Sequence, residues 1–434
     1  MRFLLQSILA ILARGVLRRY RPDVIAITGS VGKTSVKDAV ACVLSAHFAV
    51  RATPRNLNTE FGLPMTVIGG PYCTIRSSFG KMLLRCVRLF GRALHLLLFR
   101  SASYPSILVL EMGAAKPGDI RHLVGIARPT VALLTAIESA HVEGFGTREA
   151  IEKEKKEIYA HLTEKNWIVA NLERPETLPQ KSSARIRSFS CVKNARAGSA
   201  DITISKISER LTFLSSRTDV GVSFDVSYCR TTERFDVDGV LGRHWAELFG
   251  YAIAVGTLYD IPLASMNAAL QNFCGPRSRM RPLPGIKKTL LIDDTYNSSP
   301  VAVALALSTL ERFEIDPGAR RWAVLGDLFE MGSESESAHR EMGAAVAASG
   351  ADFFVAVGPL SRASADAAGL DEKRIFRFDD PVSAGSALKE KIKKGDIILV
   401  KGSQGARMEK CVIALMAEPE RAAELVVRQT PEWN

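Results

Sequence analysis

The chain has 434 residues, 47% hydrophobic and 24% charged, with 57 Lys+Arg against 46 Asp+Glu and a formal net charge of +11. These values fit two or three globular domains of about 100 to 200 residues and exclude a single small module, a collagen, a coiled coil and a disordered chain. The basic excess is local: Arg2, Arg14, Arg18, Arg19 and Arg21 in 1–21, and Arg76, Lys81, Arg85, Arg88, Arg92 and Arg100 in 71–104, with no acid in either stretch, so the rest is neutral and no nucleic-acid partner is expected.

Residues 1–21 read as a basic amphipathic helix. Arg14 breaks its apolar run, no small-residue cleavage site follows, and it falls short of the ~20 apolar residues of a membrane-spanning helix. The seven cysteines are scattered without a C-x-x-C pair, which fits a reducing cytoplasm. Next comes the apolar strand VIAIT (24–28), then Gly29, Ser30, Val31, Gly32, Lys33, Thr34 and Ser35, then the helical pattern VKDAVACVLSA. Glycines let backbone N–H groups converge on a phosphate, Lys33 supplies a charge, and the Thr34 hydroxyl suits magnesium. Only two residues separate the glycines, so the motif is G-x-x-G-K-T, shorter than the usual phosphate loop.

In 81–100, Lys81, Arg85, Arg88, Arg92 and His95 recur at helical spacing against an apolar face, predicting a basic helical insertion over about 75–104. Two readings of the basic segments are open. They pack on each other with arginines reaching outward, which is preferred, or they lie on an anionic membrane surface. SILVLEMG (106–113) reads as a strand with Glu111 at its C-terminal tip, where a metal ligand of a nucleotide site belongs. VALLTAI (131–137) leads to His141, and TREAIEKEKKEIYAHL follows with Lys153, Lys155 and Lys156, on charge pattern alone a solvated face. WIVANL (167–172) is a further strand, 184–240 alternates like an antiparallel excursion, and GPRSRMRPLPG (275–285) is the linker candidate. TLLIDDTYN, RWAVLGD, FFVAVG and IILVKGS then start a second α/β series. The predicted class is α/β: a phosphate-loop ATPase domain over 22–283 with a mainly parallel sheet, and a Rossmann-like domain over 284–434.

TGSVGKTSVKD, NLNTEFGLPMT (56–66), LEMGAAKPGDI, AHVEGFGTREAIEKEKKEI, IDDTYNSSP, LGDLFEMGSESESAH and VKGSQGARME together resemble the Mur ligases, nearest to their MurF branch. The resemblance implies a cytoplasmic enzyme that adds D-alanyl-D-alanine to a muramoyl tripeptide in peptidoglycan synthesis, using ATP and Mg2+ and passing through an acyl phosphate. It also implies roles. Lys33 and the backbone from Ser30 to Thr34 hold the β- and γ-phosphates; Thr34 and Glu111 bind one magnesium, and His141 helps hold a second. Lys155 is the lysine that CO2 converts to a carbamate. Arg279 approaches the phosphates from the linker, Asp294 meets the ATP ribose with Tyr296 and Asn297, and the two domains close on a hinge near 275–285. Asn56, Asn58 and Thr59 face the acyl substrate. Asp327, Lys401 and Ser403 match positions on the amine side, where an ordinary loop or cap role is equally open.

Two departures stand out. About twenty residues precede the first ATPase strand, too few for the family's UDP-sugar domain, which leaves room for another acyl acceptor, lipid-linked or poly-glutamate, or for a non-catalytic scaffold. GRHWAELFGY (242–251) has Trp245 and Leu248 where the family has adenine-placing asparagines, so stacking of the base on Trp245 is expected instead.

Overall fold

A computed structural model describes residues 2–54, 57–70, 79–137, 145, 147–191 and 200–429. It divides into two compact units: the first takes 1–207, 223–236 and 244–273, the second 208–222, 237–243 and 274–434.

The first unit is built on β1 (Asp23–Thr28), β2 (Val50–Ala52), β3 (Ile107–Glu111), β4 (Val131–Leu134), β5 (Trp167–Asn171) and β6 (Arg185–Ser190), in the order β2-β3-β1-β4-β5-β6 with every pairing parallel. Unbroken apolar runs such as VIAIT suit strands covered on both faces, and all but the first residue of β1 are buried. The sheet continues through β7 (Ile202–Phe213), β8 (Thr218–Tyr228) and β9 (Thr231–Asp238). The antiparallel excursion therefore starts later than the alternation at 184 suggests, since β6 is parallel to β5 and to β7. The turn between β8 and β9 sits at Cys229 and Arg230, both at positive φ, as a two-residue hairpin turn requires.

Helices cover both faces. On one lie α1 (Arg2–Tyr20), α3 (Gly62–Ile68), α4 (Phe79–Leu98) and α5 (Asp119–Ile126), whose apolar sides share a core with Val24, Ala26, Leu108 and Leu110. On the other lies α2 (Lys33–Ser45), which buries Val36, Ala39, Val40 and Val43 and packs on the helix His244–Leu258. The two basic segments meet as the packing reading expects. Leu9, Ala10, Ala13 and Val16 of α1 and Leu89, Ala93 and Leu96 of α4 enter the same core, and the Tyr20 hydroxyl donates to the Phe99 carbonyl at 3.1 Å.

In the second unit β10 (Arg281–Gly285), β11 (Thr289–Asp294), β13 (Arg321–Gly326), β14 (Phe353–Val357), β15 (Ile375–Phe378) and β16 (Ile397–Lys401) form a sheet ordered β10-β11-β16-β13-β14-β15, while the two-residue β12 (Glu314–Ile315) pairs with β7. All pairings in that sheet are parallel except β10 with β11. The linker candidate thus supplies an edge strand at 281–285. Its Pro282 and Pro284 lack donors, and an edge tolerates that because one side of the strand has no ladder to complete.

Candidate active site

The turn from β1 into α2 is held open by its glycines. Gly29 has φ +150°, and a Cβ there would lie 2.0 Å from Thr135 Oγ1; Gly32 caps α2 in the left-handed region at φ +81°. Thr135 donates its hydroxyl to the Val31 carbonyl at 2.5 Å, and the Ser30 N–H donates to Ala136 O at 2.8 Å, so the end of β4 props the loop from outside. Lys33 folds its ammonium onto the Gly29 and Ser30 carbonyls at 2.7 and 3.0 Å.

Alternation along β3 puts Glu111 on the same face as Val109, beneath the start of α2. Glu111 is 2% exposed; its carboxylate accepts from the Thr34 hydroxyl at 3.0 Å and from the Asn58 amide at 2.9 Å, and its N–H donates to Thr53 Oγ1. These carboxylate partners are neutral donors, which leaves a buried negative charge ready to meet a cation. Among the described residues no cluster of three or more His, Cys, Asp or Glu side chains is placed to hold a metal. One buried carboxylate beside one hydroxyl, next to a phosphate loop, is a hard-oxygen set that fits magnesium, which completes its shell from phosphate and water.

The helix α6 (Arg148–Lys156) is capped by Thr147, whose hydroxyl accepts from the Ala150 N–H, and it buries Ile151, Glu154 and Lys155. Spacing separates the three lysines. Lys153 points to solvent, Lys156 pairs with Glu152 at 2.6 Å, and Lys155 is 5% exposed. Lys155 makes no hydrogen bond or ion pair among the described residues, and burial, with the like charge of Lys33, pushes its amine down to about 8. It shares a cavity of about 240 Å³ with Lys33, Asn58, Thr59, Glu60 and Gly113. Its neighbour Glu154 accepts the Gly118 and Ile120 N–H groups, each at 2.7 Å, and so caps α5.

The second unit gathers another group. Lys401, 2% exposed, pairs with Asp294 at 2.6 Å and donates to the Asn297 carbonyl at 3.1 Å; Asp294 also accepts the Met280 N–H, and the Arg279 guanidinium stacks 4.1 Å from the Tyr296 ring centre. Asp327 and Ser403 are adjacent and occupied with backbone. Asp327 accepts the Ser361 N–H and hydroxyl, and Ser403 accepts the Phe329 N–H. His141 and Asn56 lie outside the described residues.

Stacking of a base on Trp245 is corrected. The indole is 3% exposed and packs against Phe249 and Phe273, with ring centres 5.3 and 5.4 Å away, because its position on the helix His244–Leu258 faces the core. Leu248, three residues on, is the one beside the loop: a Cβ on Gly32 would sit 3.1 Å from it. Sequence reasoning also missed Thr53 and Thr135, lone threonines with no motif around them. It missed Arg428, which donates to the Thr295 and Tyr296 carbonyls and pairs with buried Glu409 from the C-terminal tail.

A strand–glycine turn–helix with an inward lysine, a buried carboxylate at the next strand tip and a second α/β unit define a nucleotide-dependent enzyme of the phosphate-loop class. Residues 93–247 match the Mur ligase middle domain and residues 278–404 the Mur ligase, glutamate ligase domain. The chain is 31% identical over 412 residues to the UDP-N-acetylmuramoyl-tripeptide–D-alanyl-D-alanine ligase of Escherichia coli, covering 93% of this chain and 79% of that protein. A MurF ligase from Thermotoga maritima, solved in complex with ADP, has TM-score 0.69 and 26% identity over 96% of this chain and 84% of its own. MurF from Acinetobacter baumannii, at 23% identity, shares the fold with TM-score 0.73 over 94% of this chain and 79% of its own. The chain belongs to the Mur ligases, ATP-dependent ligases that form peptide bonds.

Proposed function

We propose that this ligase joins D-alanyl-D-alanine to a muramoyl tripeptide in peptidoglycan synthesis, with ATP as the energy source, and that it works in the cytoplasm. The observation that carries the reading is the buried Glu111 with its donors Thr34 and Asn58, beside Lys33 and a buried Lys155 that has no partner among the described residues. In this reading the first unit is the ATP-binding domain and the second the partner domain that receives the amine.

The loop N–H groups from Gly29 to Ser35 and the Lys33 ammonium hold the β- and γ-phosphates, which requires Lys33 to leave its loop carbonyls for phosphate oxygens. Thr34 and Glu111 hold magnesium, with His141 at a second ion; magnesium supplies charge neutralisation at the phosphoryl oxygens. Neutral Lys155 Nζ attacks CO2: the N–C bond forms as one C=O π bond opens to an oxyanion, and the amine proton leaves to solvent, so that a buried amine becomes a carbamate anion that would add a ligand for magnesium. Asn56, Asn58 and Thr59 orient the acyl substrate, whose carboxylate takes the γ-phosphoryl group; the incoming amine then displaces phosphate. Arg279, Asp294, Tyr296 and Asn297 attend the nucleotide, and Lys401, Asp327 and Ser403 shape the amine side.

The exposed apolar side chains Leu4 and Ile11 on α1 and Leu84, Val87 and Leu98 on α4 favour a further element: peripheral contact with the inner membrane face through residues 1–21 and 75–104, and with it a lipid-linked acyl acceptor as the second reading. Phosphate release measured with magnesium, bicarbonate, ATP and D-alanyl-D-alanine separates the cases. Release that requires UDP-muramoyl tripeptide supports the first reading, and release only with a lipid-carried tripeptide supports the second. No release with any acceptor defeats both and leaves a scaffold.

A further inference from the structure

We propose that α1 and α4 form a membrane-docking surface, and that a pocket at the C-terminal half of α1 takes the phosphate of an anionic lipid headgroup. This rests on the peripheral contact proposed above and names what that contact recognises.

Helix α1 has two unlike faces. Leu9, Ala10, Ala13 and Val16 are buried, while Leu4 and Ile11 are 66% and 62% exposed and Ile8 lies between them on the same outward face. Spacing carries that face onward from Ile11 to Arg14 and Arg18, three and seven residues later. One helix thus offers apolar side chains over its first half and guanidinium groups over its second. Helix α4 repeats the arrangement: Leu84, Val87, Leu94 and Leu98, all at least half exposed, fall with Gly91 on one stripe opposite the buried Leu89, Ala93 and Leu96, and Arg85, Arg88 and Arg92 occupy the sector beside it. Among the described residues no helix is long and apolar enough to cross a membrane. An outward apolar stripe flanked by arginines is the pattern of a helix lying in the lipid interface.

The pocket is the second observation. A cavity of about 430 Å³ is lined by Arg14, Arg18 and Arg128 together with Leu17, Val24 and Ile126, and no acid contributes to it. The three guanidinium groups make no hydrogen bond or ion pair among the described residues, whereas Arg121 of α5 is paired with Glu157. Like charges converging on a concave site repel, and a phosphate both removes the repulsion and accepts forked hydrogen bonds from each fork. Residues 1–21 and 71–104 hold eleven bases and no acid, so charge complementarity selects an anionic lipid surface over another acid-poor protein face. The docked helix also touches the candidate active site: the Gln6 amide donates at 2.9 Å to Glu60, which lines the cavity holding Lys155.

The test is co-sedimentation of the full chain with vesicles of equimolar phosphatidylglycerol and phosphatidylcholine, against phosphatidylcholine alone. The expected result is binding to the anionic vesicles tighter by about tenfold or more, weakened by salt, lost in R14Q/R18Q/R128Q and lost separately in L4S/I11S. Recovery of the wild-type chain in the supernatant with both vesicle types overturns the proposal. So does release from the anionic vesicles by inorganic phosphate at matched ionic strength, which assigns the pocket to free phosphate, or a concentration-dependent dimer that L4S/I11S abolishes while vesicle binding persists. Circular dichroism melting of each variant at the wild-type temperature establishes that losses are not unfolding. Ligation of a soluble tripeptide is measured in parallel. Ligation without vesicle binding sinks the docking surface alone, and vesicle binding without ligation of either the soluble or a lipid-carried tripeptide sinks the catalytic reading alone.

Discussion

Two buried lysines, Lys155 in the first unit and Lys401 in the second, are held in opposite ways. Lys401 is 2% exposed and sits 2.6 Å from Asp294, with the Asn297 carbonyl as a second acceptor. Lys155 is 5% exposed and has no partner among the described residues, and burial, helped by the like charge of Lys33, pushes its amine down to about 8. A buried ammonium with its counter-ion is a fixed part of the fold. One without it is a reactive amine, because the neutral form that desolvation favours is also the nucleophilic form.

The same substitution at the two positions should therefore act in opposite directions. Lys155→Met is expected to cut ligation by about 10²- to 10³-fold, the cost of losing a preorganised charge at a reacting centre, while leaving thermal stability unchanged or raised, since it removes an unpaired buried charge. Lys155→Ala should recover part of its activity with a short carboxylate such as acetate or formate, which fills the place of the carbamate. Loss of stability in Lys155→Met, or a carboxylate-insensitive Lys155→Ala, would break the contrast. Lys401→Met strands Asp294 beside an apolar chain, and an unfolding free energy lower by about 3 kcal/mol is expected from denaturant titration, as for other broken buried pairs. An unchanged midpoint there would make Lys401 another unpartnered amine in effect.

The sequence disclosed these two lysines unequally. Strand, glycine turn and helix at VIAITGSVGKTS dictate their own geometry locally, and Glu111 follows from the period of β3, so that half of the site was legible from spacing. Lys155 was not: Lys153, Lys155 and Lys156 carry the same charge on one short helix, and only the angular position of Ile151, Glu154 and Ile158 beneath them sorts the buried one from the other two. The Lys401–Asp294 pair spans 107 residues and depends on β11 and β16 lying side by side in register, Asp294 opposite Lys401, which no local pattern encodes. Trp245 shows the reverse error. A large aromatic in a nucleotide-site segment suggests a stacking platform, yet the helix turns it inward against Phe249 and Phe273, where burial of so much apolar area outweighs any contact at the surface.

Between the paired and unpaired extremes stands Asp293, wholly buried beside the pair. The Ser278 hydroxyl and the Thr295 N–H and hydroxyl donate to it, but burial outweighs these donors, and with the like charge of Asp294 adjacent its carboxyl is pushed up to about 6. A raised carboxyl pKa means that the folded state holds its proton where the unfolded chain, near the ordinary 3.8, has already released it. Its contribution to stability is therefore fully present below about pH 4 and is lost as pH rises through 6, by about 3 kcal/mol in all. Asp293→Asn keeps the acceptor for Thr295 and cannot ionise, so its unfolding free energy should lack that slope, and the difference between variant and wild type should move in the variant's favour across the same window. Parallel pH profiles for the two proteins would mean that the three neutral donors suffice to hold a bare carboxylate. The cation on Asp294 would then not be needed to keep a buried charge in this fold, and the distinction drawn between Lys401 and Lys155 would lose its physical basis.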